Sequence, residues 1–363
     1  NQEPPTERSG SPQLTLLQAL QMSPTTAYRE KTQDRQHHHF DKPLPPTPNP
    51  ASSTPATSQT PLQYQHHHLG AHEAAAQSQP FLPNKYSVHL PFILAFDSDI
   101  LAQQFTLVEK DAFNEIDWKE LIDMRWKNAD QNNVNKVRSW VSFLRNTDAR
   151  GVEVVIARFN IMVKWAISEI VLTQDLEERA RCIIKFIHIA AHCRRYRNFA
   201  TMSQITIALT SNEVSRLSRT WALVPPHDKR TLQDLEQLMS PTRNFYNLRA
   251  EMEGGSVTGK INKGGSSSSI LADMACIPFV GIYTHDLLFN AQKPSEIASS
   301  PTTAPLVNFE RCRTAAGIVK TLLRLLEAST SYAFQPIEGI TERCLWMGAL
   351  DDEEIRRLSE RLE

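Results

Sequence analysis

Apolar residues recur at helical spacing through most of the chain from residue 97 onward. One stretch carries five of them at intervals of three and four: Val155, Phe159, Met162, Ala166 and Ile170. This spacing places them on one face of an α-helix. It predicts a long amphipathic helix whose polar residues, such as Lys164 and Glu169, face water.

Further helices are predicted from the same spacing and from residues that favour helix ends. Residues 176–195 repeat the pattern, and later helices begin near Asn308 and after Asp351. Ser240 followed by Pro241 predicts a helix that runs to about Glu253, because Ser caps a helix and Pro suits its first position. Alternating patterns typical of strands are nearly absent, so the sequence predicts an all-α fold.

Composition divides the chain into two parts. Of 22 prolines, 13 precede residue 84, whereas all six tryptophans follow residue 117. A segment with few large apolar residues cannot offset the entropy of ordering its backbone. We therefore predict a disordered arm over residues 1–88, rich in Pro, Ser, His and Gln, and one folded domain over 89–363. Within it, glycines and a run of serines over 254–269 predict a flexible insertion.

The arm contains one candidate binding motif, Lys42-Pro-Leu-Pro-Pro-Thr-Pro48. A basic residue before two proline-bearing turns of polyproline II helix is the ligand pattern of SH3-type domains. Proline-rich tails also produce this pattern by chance, so both interpretations stay open.

Charge and hydropathy exclude several function classes. The net charge of −1 gives no bias toward nucleic acid or anionic membranes, and no segment reaches the about 18 apolar residues of a transmembrane helix. The five cysteines are an odd number without a paired motif, which suits a reducing compartment. These features predict a cytoplasmic protein.

Motifs for catalysis or for tightly bound cofactors are missing from the sequence. Gly254–Lys260 follows the spacing of a phosphate-binding loop, but Ile261 replaces the hydroxyl residue that holds magnesium. His188 and His192 share a helical face, yet the sequence offers no obvious third metal ligand, and a core or groove-lining role is the commoner one. We therefore predict no enzyme site, no cofactor and no metal.

Seven blocks, in the same order along the chain, resemble the Ras-type guanine-nucleotide exchange domain, the family named after the yeast cell-cycle exchange factor. The blocks are Asp99–Glu109, Ala157–Asn160, Glu178–Phe199, Ser215–Trp221, Ser240–Phe245, Cys276–Tyr283 and Val307–Phe309. The resemblance implies an orthogonal helical bundle with a protruding helical hairpin. It also implies a regulator, not an enzyme, which promotes GDP release from a Ras-like small GTPase by inserting the hairpin at the switch regions.

The resemblance carries site residues onto this chain. The hairpin would begin at 279–283 and return along the helix after Asn308. Leu288 matches the apolar residue that crowds the metal site of the GTPase, and Gln292 matches a position where some relatives have Glu; His285 lies in the same segment. The implied GTPase-binding residues are Phe279, Tyr283, Phe245, Arg197, Asn198 and Arg158. Ordinary core packing is the alternative for Phe279, Tyr283 and Phe245.

Three departures keep a second function open. Gln292 brings no negative charge to replace phosphate, and Arg197 stands at a position where relatives often have asparagine. Residues 1–88 also do not supply the upstream helical module of many relatives. The alternative is a scaffold that binds a GTP-loaded GTPase through the same surface without exchanging its nucleotide.

Three shorter strings, Asp123–Trp126, Ile282–Asp286 and Cys344–Trp346, resemble a fungal subfamily tied to low-temperature growth and mitotic exit. In that subfamily a long polar region separates a distant N-terminal module from the exchange domain. The resemblance implies that this chain is a fragment, and that its GTPase recruits it to the cell cortex or the inner membrane surface.

Overall fold

The computed structural model describes residues 89–124, 126, 138–146, 149–254, 275–298 and 304–363. The predicted arm, its motif at Lys42–Pro48 and nearly all of the predicted insertion at 254–269 lie outside these residues. Within them, a 3-10 turn (Phe92–Ala95) precedes fourteen α-helices and a two-stranded ladder.

The helices follow in chain order, with the ladder between α11 and α12. They are α1 Ser98–Asn114, α2 Trp118–Asp123, α3 Trp140–Asn146, α4 Val152–Leu172, α5 Leu176–Arg195, α6 Phe199–Thr210, α7 Asn212–Ser215, α8 Ser218–Ala222, α9 Pro226–Leu238, α10 Thr242–Met252, α11 Val280–Ala291, α12 Phe309–Ser329, α13 Thr341–Leu345 and α14 Asp352–Leu362. The strands are β1 Glu296–Ile297 and β2 Leu306–Val307, which pair antiparallel. The all-α prediction is confirmed. Of the helices described, none has the length and the apolar composition needed to cross a bilayer.

The core forms around α4 and α6. All residues of α4 except Lys164 and Leu172 are buried, and so are all of α6 except Thr210. The prediction that Glu169 faces water is wrong, since its carboxylate is nearly covered and lies 3.4 Å from His89. Lys164 is half-buried and contacts Asp352 at 2.7 Å. Because α1, α5, α6 and α14 pack around α4, few side chains of α4 reach solvent.

The start of α10 also differs from the prediction. Ser240 does not cap a regular helix, because Arg243, Asn244 and Phe245 take the left-handed conformation, with φ of +52°, +56° and +57°. Ser240 Oγ instead lies 2.9 Å from Oγ1 of Thr242. Three successive left-handed residues without glycine form a strained segment, and this segment adjoins the candidate site.

Two carboxyl groups lie beside the N-terminus of α4. Val152 N donates a hydrogen bond to Oε1 of Glu120 at 3.2 Å, and Glu153 is buried. Burial raises the pKa of each carboxyl to about 7. The folded protein therefore holds protons that the unfolded chain releases at lower pH.

Glu153→Gln is expected to stabilise the protein above pH 7 by about 2 kcal/mol and to change little at pH 4. The contribution of neutral Glu153 is present below its ordinary pKa and is lost as pH rises through the raised pKa, whereas Gln stays neutral. Urea unfolding at a series of pH values measures the difference. Glu177→Gln, at the same position of α5 but exposed, is the control. A gain in unfolding free energy that does not vary with pH would contradict the raised pKa of Glu153.

Candidate functional site

Helices α11 and α12 form the predicted hairpin, and side-chain amides hold its two arms together. Asn290 Nδ2 donates to the carbonyl of Arg311 at 2.9 Å, and Asn308 Nδ2 donates to the carbonyl of Pro294 at 2.8 Å. Asn308 also caps α12, because its Oδ1 accepts from the backbone N of Arg311 at 3.1 Å. The ladder of β1 and β2 lies at the same outer part of the hairpin, so hydrogen bonds join the end of α11 to the start of α12.

The outer part of the hairpin stands clear of the core. Residues 309–318, the first half of α12, include no buried side chain, and burial begins at Val319. Five large apolar side chains remain exposed between α11 and the start of α12: Phe289, Ile297, Leu306, Val307 and Phe309. Large contiguous apolar patches on a surface are typical of interaction sites, which makes this part of the hairpin a candidate binding surface.

The three predicted catalytic residues lie along one face of α11. His285, Leu288 and Gln292 occur at intervals of three and four residues, and none is buried. Phe289 lies on the same face with 62% of its surface exposed. We call His285, Leu288, Phe289 and Gln292 the α11 stripe. Sequence reasoning missed Phe289, although its position one turn after His285 could have identified it.

Two predicted binding residues at the base of the hairpin are buried. Phe279 stacks on Phe159 with ring centroids 5.1 Å apart, and the half-buried Phe245 meets Phe279 edge-on at 6.5 Å. Tyr283 is 2% exposed. Phe279 and Tyr283 therefore pack in the core in this conformation, which is the alternative stated for them. Of the three aromatic residues, Phe245 is the one with a partly exposed side chain.

Tyr283 is anchored by its hydroxyl, which donates to Oε1 of Glu253 at 2.9 Å. Burial, together with the Glu253 carboxylate, raises the pKa of Tyr283 above its ordinary range. The hydroxyl therefore stays protonated at neutral pH. This hydrogen bond joins α11 to the residue that follows α10.

Arg197 and Asn198 connect the hairpin base to the core. Arg197 has a left-handed backbone, and its guanidinium donates to the carbonyls of Glu251 and Met252 at 3.0 and 2.9 Å. Asn198 is fully buried and caps α6 through a 3.0 Å bond from Thr201 N to its Oδ1. The resemblance implies that Asn198 contacts a GTPase, but its side chain has no exposed surface in this structure.

Arg158 is likewise fully buried. Its Nε donates to Oε1 of Glu109 at 2.9 Å and its Nη1 donates to the carbonyl of Cys344 at 3.3 Å. Its guanidinium also lies over the ring of Trp140. The prediction that Arg158 contacts the GTPase is corrected, because a side chain with 0% exposure supports the core instead.

The strained start of α10 lies beside the α11 stripe. Asn244 Nδ2 donates to Oδ1 of Asp286 at 3.2 Å, and the Arg249 guanidinium lies 2.7 Å from the same carboxylate. Tyr246 is 56% exposed and lies under the guanidinium of Arg243. The stripe and the ridge at 243–246 therefore form one continuous surface, with Asp286 as the link.

A family model described as the RasGEF domain matches residues 100–313, more than half of the chain. The chain belongs to the RasGEF domain family. The match includes α1 to α11 and the exposed start of α12, and so contains the stripe, the ridge and the hairpin base. Helices α13 and α14 follow it and pack on α1 and α4.

Proteins from this family share substantial identity with the chain. It is 36% identical over 279 residues to guanine nucleotide exchange factor LTE1 of Candida glabrata, covering 77% of this chain and 19% of that protein. It is 35% identical over 272 residues to LTE1 of Saccharomyces cerevisiae, covering 75% and 17%. Guanine nucleotide exchange factor SDC25 of S. cerevisiae is 31% identical over 198 residues, covering 54% and 14%. The chain thus matches only 14–19% of the length of these relatives. The predicted resemblance to fungal exchange factors is confirmed.

Proposed function

We propose that this RasGEF domain promotes the release of GDP from a Ras-like small GTPase, with the hairpin entering the switch regions. The α11 stripe carries the proposal, because it presents apolar groups at the position where the resemblance places the acting residues. The relatives named as guanine nucleotide exchange factors support the same reaction.

The proposed mechanism is differential affinity. A small GTPase holds its nucleotide through phosphate-binding amides and a magnesium ion, so a partner that binds the nucleotide-free form more tightly shifts the equilibrium toward release. The domain then needs no catalytic acid, base or nucleophile of its own. It acts as a regulator that changes which state of the GTPase is the more stable.

Each residue of the stripe has a distinct proposed role. Leu288 is half-buried, and it brings its methyl groups to the magnesium site of the GTPase. Because its side chain has no oxygen or nitrogen, it cannot coordinate the ion. Phe289 extends that apolar surface toward the first switch. Gln292 offers an amide that hydrogen-bonds without supplying negative charge, and the exposed His285 completes the polar edge of the stripe.

The buried residues act by holding the hairpin in place. Phe279 and Tyr283 pack the base of α11, while Arg197 and Asn198 fasten the adjoining chain to α10 and α6. Hairpin insertion requires that the stripe keep a fixed position while it displaces a switch, so rigidity at the base contributes directly to activity. The half-buried Phe245 and the exposed Tyr246 form the neighbouring contact for the second switch.

The alternative is a scaffold that binds a GTP-loaded Ras-like GTPase without exchange, and the uncharged Gln292 is the observation that favours it. Release of a fluorescent guanine nucleotide from Ras-like GTPases, with and without the chain, separates the two. Accelerated release supports exchange. Tight binding of the GTP-loaded form without acceleration supports the scaffold.

We infer a cytoplasmic setting in which the GTPase draws the domain to the cell cortex or the inner membrane surface. The resemblance of the three shorter strings to a fungal subfamily tied to mitotic exit makes that the process to test first. Imaging of a fluorescently tagged chain in a fungal host, with the partner GTPase present or deleted, checks this location.

Arg249→Leu is expected to lower the exchange rate by about 10- to 100-fold, because it releases the link through Asp286 that sets the stripe against the ridge. The cost in stability is expected to stay near 1 kcal/mol, as for other partly exposed ion pairs. Exchange kinetics and thermal melting measure the two effects.

Arg313→Leu provides the matched control, since Arg313 pairs with Glu310 at 2.8 Å on the same hairpin but does not reach α10. Its exchange rate should stay within about twofold of the unaltered chain. Equal rates for the two variants would remove Asp286 and Arg249 from the mechanism.

A further inference from the structure

Two histidine rings converge on one buried carboxylate at the junction of α5 and α9. The Nε2 atom of His188 lies 2.8 Å from Oδ1 of Asp228, and Nε2 of His227 lies 3.2 Å from the same oxygen. The three ligand atoms all lie within 4.8 Å of one another. His188 comes from the middle of α5, whereas His227 and Asp228 occupy the first turn of α9.

The carboxylate of Asp228 is buried, whereas the two histidine rings that contact it are exposed. The side chain of Asp228 is 3% exposed, while those of His188 and His227 are 45% and 67% exposed. Within the described residues, these two rings are the recorded side-chain partners of Asp228. A buried carboxylate requires compensation of its charge, and two neutral imidazoles supply hydrogen bonds but no net positive charge.

We infer that His188, His227 and Asp228 form a Zn²⁺-binding site. Two imidazole nitrogens and one carboxylate oxygen are a common zinc donor set, with metal–ligand distances of about 2.0–2.2 Å. Tetrahedral ligands at those distances lie about 3.3 Å apart. The two contacts to Asp228, at 2.8 and 3.2 Å, lie close to that value. The two imidazole nitrogens lie within 4.8 Å of each other, so they must approach to no more than about 3.3 Å for all three atoms to bind one ion.

The sequence suggests a different pair of ligands, and the structure separates them. His188 and His192 share a helical face, but Nδ1 of His192 lies 3.1 Å from Oδ1 of Asp99 rather than near Asp228. The third ligand that the sequence does not reveal comes from another helix. Because both rings of the site face solvent, the fourth coordination position is open to water or to a group from a partner.

An ion at this site would join α9 to α5. Helix α5 also holds α10, since Arg194 contacts Glu251 at 2.8 Å, and α9 leads directly into the strained start of α10. A ligand that binds only the folded state stabilises it in proportion to its concentration.

Titration of the full metal-free chain with Zn²⁺ tests the inference, by calorimetry and by thermal melting at pH 7.5. His227→Ala is the test variant because its exposed ring contributes little to packing, and His192→Ala is the matched control. The melting temperature of the unaltered chain and of the control should rise with Zn²⁺, and His227→Ala should bind about 100-fold more weakly. His188→Ala should reproduce the loss. Circular dichroism without metal verifies that each variant is folded.

Co²⁺ in place of Zn²⁺ adds a spectroscopic readout, since tetrahedral Co²⁺ absorbs visible light strongly. The arm carries further histidines at 37–39 and 66–68, and the difference between the unaltered chain and His227→Ala removes any signal that they contribute. Equal binding and equal spectra for those two proteins would overturn the inference and assign the metal to the arm. Absence of binding at micromolar Zn²⁺ would also overturn it.

Discussion

Leu288→Glu is expected to lower the rate of nucleotide exchange by at least about 100-fold while the melting temperature changes by no more than about 2 °C. Leu288 is half-buried on α11, so a carboxylate there reaches water and costs the isolated domain little. In the complex the same carboxylate would enter an interface built for an apolar group, where an unpaired charge is strongly unfavourable. Release of a fluorescent guanine nucleotide and a thermal melt measure the two quantities.

Ala316→Glu is the control for this substitution. It adds the same charge to the exposed face of α12, on the same hairpin but off the α11 stripe. We expect exchange within about twofold of the unaltered chain. If Leu288→Glu instead unfolds the domain, Leu288 belongs to the core, and if both variants lose exchange equally, the stripe has no special role.

Arg158→Leu is expected to cost about 3–5 kcal/mol in the free energy of unfolding. The substitution leaves Glu109, which is 3% exposed, as a buried carboxylate without its 2.9 Å partner. It also removes the hydrogen bond from Arg158 to the carbonyl of Cys344. Urea unfolding, followed by circular dichroism, measures the loss as a shift of the midpoint.

A double variant separates the ion pair from packing. Replacement of both partners, Glu109→Gln with Arg158→Met, keeps the volume and removes both charges, so it should recover about 2 kcal/mol or more of that loss. A loss below about 1 kcal/mol for Arg158→Leu would contradict the interior role. Arg158 would then again be a candidate for contact with the GTPase.

Local sequence signals predicted most of the helices, because caps and helical spacing act over a few residues. Asn308 and Asp351 each cap the predicted helix with a side-chain oxygen. The environment of α4 could not be predicted in the same way. Apolar spacing identified one buried face, but the helices that cover Glu169 and Lys164 come from distant parts of the chain.

The candidate site was predicted only where the family resemblance supplied a position. His285, Leu288 and Gln292 lie on one face of α11, whereas Phe289 was missed because no motif marked it. The left-handed backbone at 243–245 has no sequence signal, since Arg, Asn and Phe replace the glycine that such a conformation usually requires. The burial of Phe279, Asn198 and Arg158 depends on tertiary packing, which local sequence does not reveal. Their burial indicates that these residues support the fold.

The measurement that tests the central proposal most directly is release of a fluorescent GDP analogue from a panel of Ras-, Rap- and mitotic-exit-type GTPases. The panel is read with the unaltered chain, with Leu288→Glu and with Ala316→Glu. We predict accelerated release from at least one GTPase by the unaltered chain and by Ala316→Glu, with no acceleration by Leu288→Glu. Tight binding to a GTP-loaded GTPase, with no acceleration across the panel, would contradict exchange and favour the scaffold.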